Sequence, residues 1–130
     1  MGKEYIFKMW GTNEFGWIDR GARNNVGEVI TMWRRNYFHL TNVITGENYC
    51  IIQGEWRLGK ASQITIVNIN NSRSLREKSV IWEEVHERRR LQFSWCMVGD
   101  FNSIRRLGER RSVNTGMDYS REIRRFNDFI

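Results

Sequence analysis

Between Val29 and Ile69 the chain carries four runs rich in β-branched and aromatic residues, separated by short spacers. Val29-Ile30-Thr31-Met32-Trp33 comes first, and Tyr37 to Ile44 follows, ending at Thr45-Gly46. Tyr49 to Trp56 is next, before a Gly59-Lys60 turn, and Ile64 to Ile69 is the last. Each has the residue bias of a strand. Parallel neighbours need a crossover of about a dozen residues or more, so spacers this short predict an antiparallel meander. Ahead of these runs, residues 1–11 mix aromatics and lysines up to a Gly11-Thr12-Asn13 turn. Phe15 to Arg23 reads as loop, and Asn24-Asn25-Val26-Gly27 as a second turn cluster.

After the meander the periodicity changes. Ser74-x-x-Glu77 is a capping box ahead of Leu75, Ile81, Trp82 and Val85, an approximately helical set. The predicted helix runs from about 74 to 90 and ends in Arg88-Arg89-Arg90, which also complements a helix C-terminus. Trp95 to Val98 is a short continuous apolar run closed by Gly99, the pattern of a buried strand. Ser103 to Gly116 lacks periodicity and reads as a loop. Tyr119, Ile123, Phe126 and Ile130 mark a last short helix, with Arg121, Arg124 and Arg125 on its outer side. A meander, a crossover helix and a further strand predict an α/β chain whose largely antiparallel sheet is covered by helices on one face. The other sheet face needs a layer that the pattern does not supply.

The totals fit a single globular unit: 130 residues, 40% apolar, 13% aromatic and six tryptophans. The net charge of +6 favours polyanions, nucleic acid before membrane, because no lipidation or apolar anchor signal accompanies it. The N-terminal residues lack the apolar core of a signal peptide, and Ile6 stands where myristoylation needs Ser or Thr. The expected location is intracellular, the nucleus included. Cys50 and Cys96 each lie in an apolar stretch and read as buried free thiols without a disulfide partner. Neither has a second ligand at zinc-site spacing. His39 and His86 fall in a strand and a helix and read as structural or surface residues.

The sharpest chemistry stands at Gly99-Asp100-Phe101-Asn102. A strand delivers this tetrapeptide at its C-terminal end, where α/β folds place ligands. If the backbone stays extended, Asp100 and Asn102 point to one face and Phe101 to the other. A carboxylate beside a carboxamide offers an acceptor and a donor for orienting water and phosphate. Downstream, Arg105, Arg106, Arg110 and Arg111 concentrate positive charge and are candidate nucleic-acid contacts, a solvated basic surface being the plainer reading.

At this motif the chain resembles the endonuclease/exonuclease/phosphatase superfamily, most closely the endonuclease domain of plant non-LTR (LINE-type) retrotransposons. The resemblance rests on ordered matches along nearly the whole chain. Ala22 and Gly27 precede Val29 to Trp33; Ile66-Val67-Asn68-Ile69 forms the next strand; Lys78, Trp82, Glu83 and Glu84 fall on a helix. Trp95, Gly99-Asp100-Phe101-Asn102, Glu109-Arg110 and Phe126 to Ile130 complete the set. What the resemblance implies is metal-dependent hydrolysis of DNA phosphodiester bonds on a four-layer α/β sandwich. Asp100 would handle the water or leaving-group proton, Asn102 would hold the scissile phosphate, and Mg²⁺ would neutralise charge on the phosphate.

The chain also departs from that pattern. The family's opening strand and its metal-binding glutamate would precede Met1, and its serine–aspartate–histidine motif would follow Ile130. Asn70 and Ser72 stand where the family has tyrosine and proline, Glu28 replaces a glycine, and proline is absent altogether. The expectation is therefore residues 1–130 as one partial domain, lacking its N-terminal strand and C-terminal half. No metal ligand is assignable, and whether the chain is an enzyme stays open. The alternatives are a basic nucleic-acid-binding module without catalysis, or a non-functional retroelement remnant.

Overall fold

The computed structural model describes residues 3–11, 14–20, 29–71, 74–88, 94–109 and 119–130. The order is α1 (Lys3–Trp10), β1 (Phe15–Arg20), β2 (Val29–Arg34), β3 (Phe38–Thr45), β4 (Tyr49–Trp56), β5 (Ser62–Asn70), α2 (Leu75–Arg88), β6 (Ser94–Asp100) and α3 (Ser120–Phe129). The chain is mixed α/β, with a mostly antiparallel sheet and three helices. It divides into two compact units. Met1–Asn70 with Gln92–Asp100 forms the first, and Asn71–Leu91 with Phe101–Ile130 the second.

In the first unit, β3, β4 and β5 form the expected antiparallel meander, and β6 joins β5 in parallel, Ile64 opposite Ser94 and Asn70 opposite Asp100. The parallel pairing follows from the helical crossover between the two strands in sequence. β2 is not part of that meander. It pairs antiparallel with β1 in a separate two-stranded sheet, from Phe15 opposite Arg34 to Arg20 opposite Val29. Phe15–Arg20 is thus a strand and not the loop read from sequence. Gly16 and the charged end at Asp19-Arg20 conceal its alternation. The same Gly16 lets the Trp33 indole lie across β1, where any Cβ would collide with it.

The two-stranded sheet supplies the additional layer that the sequence pattern lacked. Val29, Phe38, Cys50 and Ile52 form a buried cluster, with Ile18, Trp33, Leu40 and Ile66 packed against it. Trp33 meets Phe38 edge-on, ring centroids 6.0 Å apart. Asn68 ties the layers together, its Nδ2 donating to Ile30 O at 3.0 Å and Thr31 Oγ1 at 3.1 Å. β4 is consequently buried on both faces from Tyr49 to Gly54. Full burial of side chains such as Ile51 and Ile52 contributes about 1.5–3 kcal/mol each. A bulge at Thr41 interrupts the pairing of β3 with β4. There Thr41 Oγ1 donates to Gln53 O, Asn42 Nδ2 to Gln53 Oε1, and Gln53 Nε2 to the fully buried Thr65 Oγ1.

β6 differs from its sequence expectation. Ser94, Cys96 and Val98 are exposed, while Trp95 and Met97 are only half-buried. In the strand order β3-β4-β5-β6 it lies at the edge, so an apolar run that reads as interior occupies a margin. α1 occupies a stretch to which the sequence pattern assigns no element. Its aromatic and apolar residues Tyr5, Phe7 and Met9 are exposed and only Ile6 is buried, so no apolar stripe announces the helix.

α2 begins and ends within two residues of the predicted span, the Ser74 carbonyl accepting from Lys78 N at 3.0 Å, and residues 89–90 lie outside the described residues. α3 falls where the last helix was expected. The loop read at Ser103 to Gly116 contains a 3₁₀ turn at Leu107–Glu109, and its residues 110–116 lie outside the described residues.

Only one of the two cysteines is the buried thiol expected. Burial raises the Cys50 thiol above its ordinary pKa, a hydrogen bond with Thr31 offsetting this in part, whereas Cys96 is exposed on β6. A raised pKa withholds the reactive thiolate, and burial excludes the reagent. Iodoacetamide at neutral pH should therefore label Cys96 and spare Cys50 until denaturant is added, as read by peptide mass spectrometry. Equal labelling rates in native protein would contradict the packing of β4 beneath β2.

Candidate functional site

The Gly99-Asp100-Phe101-Asn102 motif spans the end of one unit and the start of the next stretch of the other, so its halves are built separately. Gly99 belongs to β6, opposite Ile69 of β5. Its φ of +125° is a region that side chains rarely adopt, and a Cβ there would collide with the Ile69 carbonyl oxygen. Glycine is therefore demanded twice, by the backbone angle and by the neighbouring strand. Asp100 is the last residue of β6 and is exposed.

In the second unit, Phe101 and Asn102 are held by their carbonyls. Asn71, 4% exposed, donates from Nδ2 to Phe101 O at 3.0 Å. Lys78, 1% exposed, donates from Nζ to Asn102 O and to Glu122 Oε1, the latter at 2.7 Å. Ser103 Oγ donates to the same Glu122 oxygen at 3.1 Å. One ammonium thus pins the turn after Asp100 to α3. The Phe101 ring packs 5.6 Å from Phe126, which stacks on Trp82 at 5.4 Å, and Trp82 stacks on Phe129 at 5.7 Å. Phe101 is in packing, as expected.

The extended geometry expected for the motif does not hold. The strand stops at Asp100, and Asn102 has a φ of +47°, so pleat alternation does not carry through to it. Asparagine is one of the few side-chain-bearing residues that tolerates this left-handed conformation. Asn102 is half-buried.

The candidate nucleic-acid arginines divide. Arg105 is tied down: Nε donates to Asn127 Oδ1 at 3.1 Å, its backbone N donates to Glu109 Oε2 at 2.8 Å, and its carbonyl accepts from Asn127 Nδ2. Arg106 is exposed. Arg110 and Arg111 lie outside the described residues. His39 and His86 are both exposed, on β3 and α2.

No known protein-family profile and no curated protein matches the chain. Among the described residues, no three histidine, cysteine or acidic side chains gather as metal ligands would. The described residues also include no helix long and apolar enough to cross a membrane.

Lys78 is the site residue that sequence reasoning missed. The signal was present, for Lys78 falls on the same helical stripe as Leu75, Ile81, Trp82 and Val85. A lysine on an apolar stripe must find oxygen partners when the stripe is buried. Lys78→Met should cost about 3–5 kcal/mol in urea unfolding, because Glu122 is left as an uncompensated carboxylate, and Lys78→Met/Glu122→Leu should recover much of the loss. A single substitution costing under about 1 kcal/mol would show that the pair is not desolvated. Gly99→Ala should lower stability by at least about 1–3 kcal/mol, the backbone strain, with the Cβ clash against the Ile69 carbonyl adding to it, read by the same urea unfolding. A neutral substitution would contradict the positive φ.

Proposed function

We propose that the chain derives from a metal-dependent endonuclease domain of the non-LTR retrotransposon type, with DNA phosphodiester hydrolysis as its ancestral reaction, and that this chain alone is a poor catalyst. The observation that carries the descent is the built character of the tetrapeptide turn. Gly99 occupies an angle and a space that only glycine fills, and the two carbonyls following Asp100 are clamped by the buried Asn71 and Lys78.

In this reading Asp100, exposed at the strand end, accepts a proton from the attacking water or hands one to the leaving oxygen. The Asn102 amide donates to a non-bridging phosphate oxygen. The family's Mg²⁺ would supply charge neutralisation on the phosphate. The described residues do not fit it, since no group of three acidic, histidine or cysteine side chains gathers among them. Catalytic groups that act as a unit lose orders of magnitude in rate when one is removed, and among the described residues no set of three acidic, histidine or cysteine side chains gathers to complete the pair.

A second reading, a basic nucleic-acid-binding module without chemistry, is favoured by the exposed Arg106 and the net charge of +6. Plasmid nicking with and without Mg²⁺ tests the first reading. The expected result is no nicking above the buffer rate by either the chain or its Asp100→Ala variant. Robust Mg²⁺-dependent nicking that disappears in Asp100→Ala would overturn the inactive assignment and make the chain an enzyme.

A further inference from the structure

In the second unit, α2 and α3 lie side by side with their N-termini at the same end. Lys78 meets Glu122, Arg125 donates to Ser79 Oγ at 2.8 Å, and Trp82 stacks on Phe126 and Phe129. Near that end a cleft of about 480 Å³ opens between the helices. Three guanidiniums line it, Arg76 from the first turn of α2 and Arg121 and Arg125 from α3, against one carboxylate, Glu83. All three arginines are exposed. Leu75 and the exposed Val80 supply an apolar edge.

Three guanidiniums outnumber the one carboxylate of the cleft, and none of them is ion-paired among the described residues. The ion pairs among the described residues are Arg57–Glu55 and Lys78–Glu122, and neither uses these arginines. Glu122, the acid in the first turn of α3, is already committed to Lys78 and Ser103. Arg121 and Arg125 are four residues apart on one helix face, a like-charged spacing that is mildly unfavourable and that a bound anion would relieve. Two helix N-termini add partial positive charge at the same place. Ser79 Oγ, which donates to Leu75 O, accepts from Arg125 and fixes that guanidinium at the cleft wall.

We infer that this cleft is a phosphodiester-binding site that takes the sugar–phosphate backbone of a nucleic-acid strand. Guanidinium forks match the paired oxygens of a phosphate better than any other side chain does. The apolar edge at Leu75 and Val80 gives sugar or base a surface that free phosphate would not use. The site is independent of Asp100 and of any hydrolysis.

Fluorescence anisotropy of the full chain with a labelled oligothymidine of about 20 nucleotides, across a salt series, is the test. In Arg76→Gln/Arg121→Gln, affinity should fall at least about tenfold, and the slope of log K against log salt should lessen by about 1.4, two contacts at about 0.7 each. Arg76→Lys/Arg121→Lys, which keeps the charge, should retain most of the slope, and Lys60→Gln, at an exposed turn outside the cleft, should bind nearly as the parent does. Inorganic phosphate should compete weakly. Unchanged affinity and slope in the folded glutamine variant, judged by circular dichroism, would overturn the proposal. So would phosphate binding without oligonucleotide binding, or tighter arginine-dependent binding to phosphatidylserine vesicles. Absence of nicking leaves the proposal standing.

Discussion

A buried ammonium must be surrounded by oxygen, and around Lys78 that demand organises the second unit. Lys78 leaves water on the apolar stripe of α2, and its partners come from two other segments: the Asn102 carbonyl just after the motif and the Glu122 carboxylate on α3. Desolvating a charge is costly, so the pair adds little net stability compared with a well-packed apolar substitute. What it adds is geometry. A single point fixes the start of the loop and the azimuth of a helix, and Trp82, Phe126 and Phe129 then stack in the one arrangement this allows.

The same constraint accounts for the charge distribution on the helix pair. α3 carries one acid in its first turn, and that acid faces inward to Lys78. The arginines beside it face water, and the other acid of α3, Asp128, stands one turn further on without an ion pair to them. Thus an interior requirement, the neutralisation of Lys78, leaves an exterior consequence, a cleft with an excess of positive charge.

The parts of the fold that were legible in the sequence are those set by local pattern. Strand runs between turn residues gave β2 through β5, and the capping residue Ser74 gave the start of α2. What was not legible depends on partners distant in sequence. β1 is a strand because Trp33 lies over Gly16, and no window around residue 16 contains that information. β6 reads as interior because Trp95 to Val98 are apolar, but its place at the sheet edge is a property of strand order. At the motif, glycine at 99 and asparagine at 102 were both visible. Their positive φ angles, which break the expected extended geometry, emerge only from the approach of β5 and the pull of Lys78. Arg76 and Arg121 are 45 positions apart in the chain. Only the alignment of α2 beside α3 brings them to one cleft.

The polar chain at the β3 bulge bears on how this sheet finds its pairing at all. Short apolar strands such as β3, β4 and β5 offer the folding chain several plausible alignments, since isoleucine against valine differs little from isoleucine against isoleucine. The Asn42–Gln53–Thr65 relay breaks that degeneracy. Sliding β5 on β4 by one position would turn the Thr65 hydroxyl away from the Gln53 amide and strand both inside the sheet. Sliding β3 would remove Asn42 from Gln53 and dissolve the bulge that Thr41 fastens. The relay works as a key cut for one lock: wrong pairings are penalised by buried polar groups left without partners, so the sheet is specified by what its misaligned forms would lose.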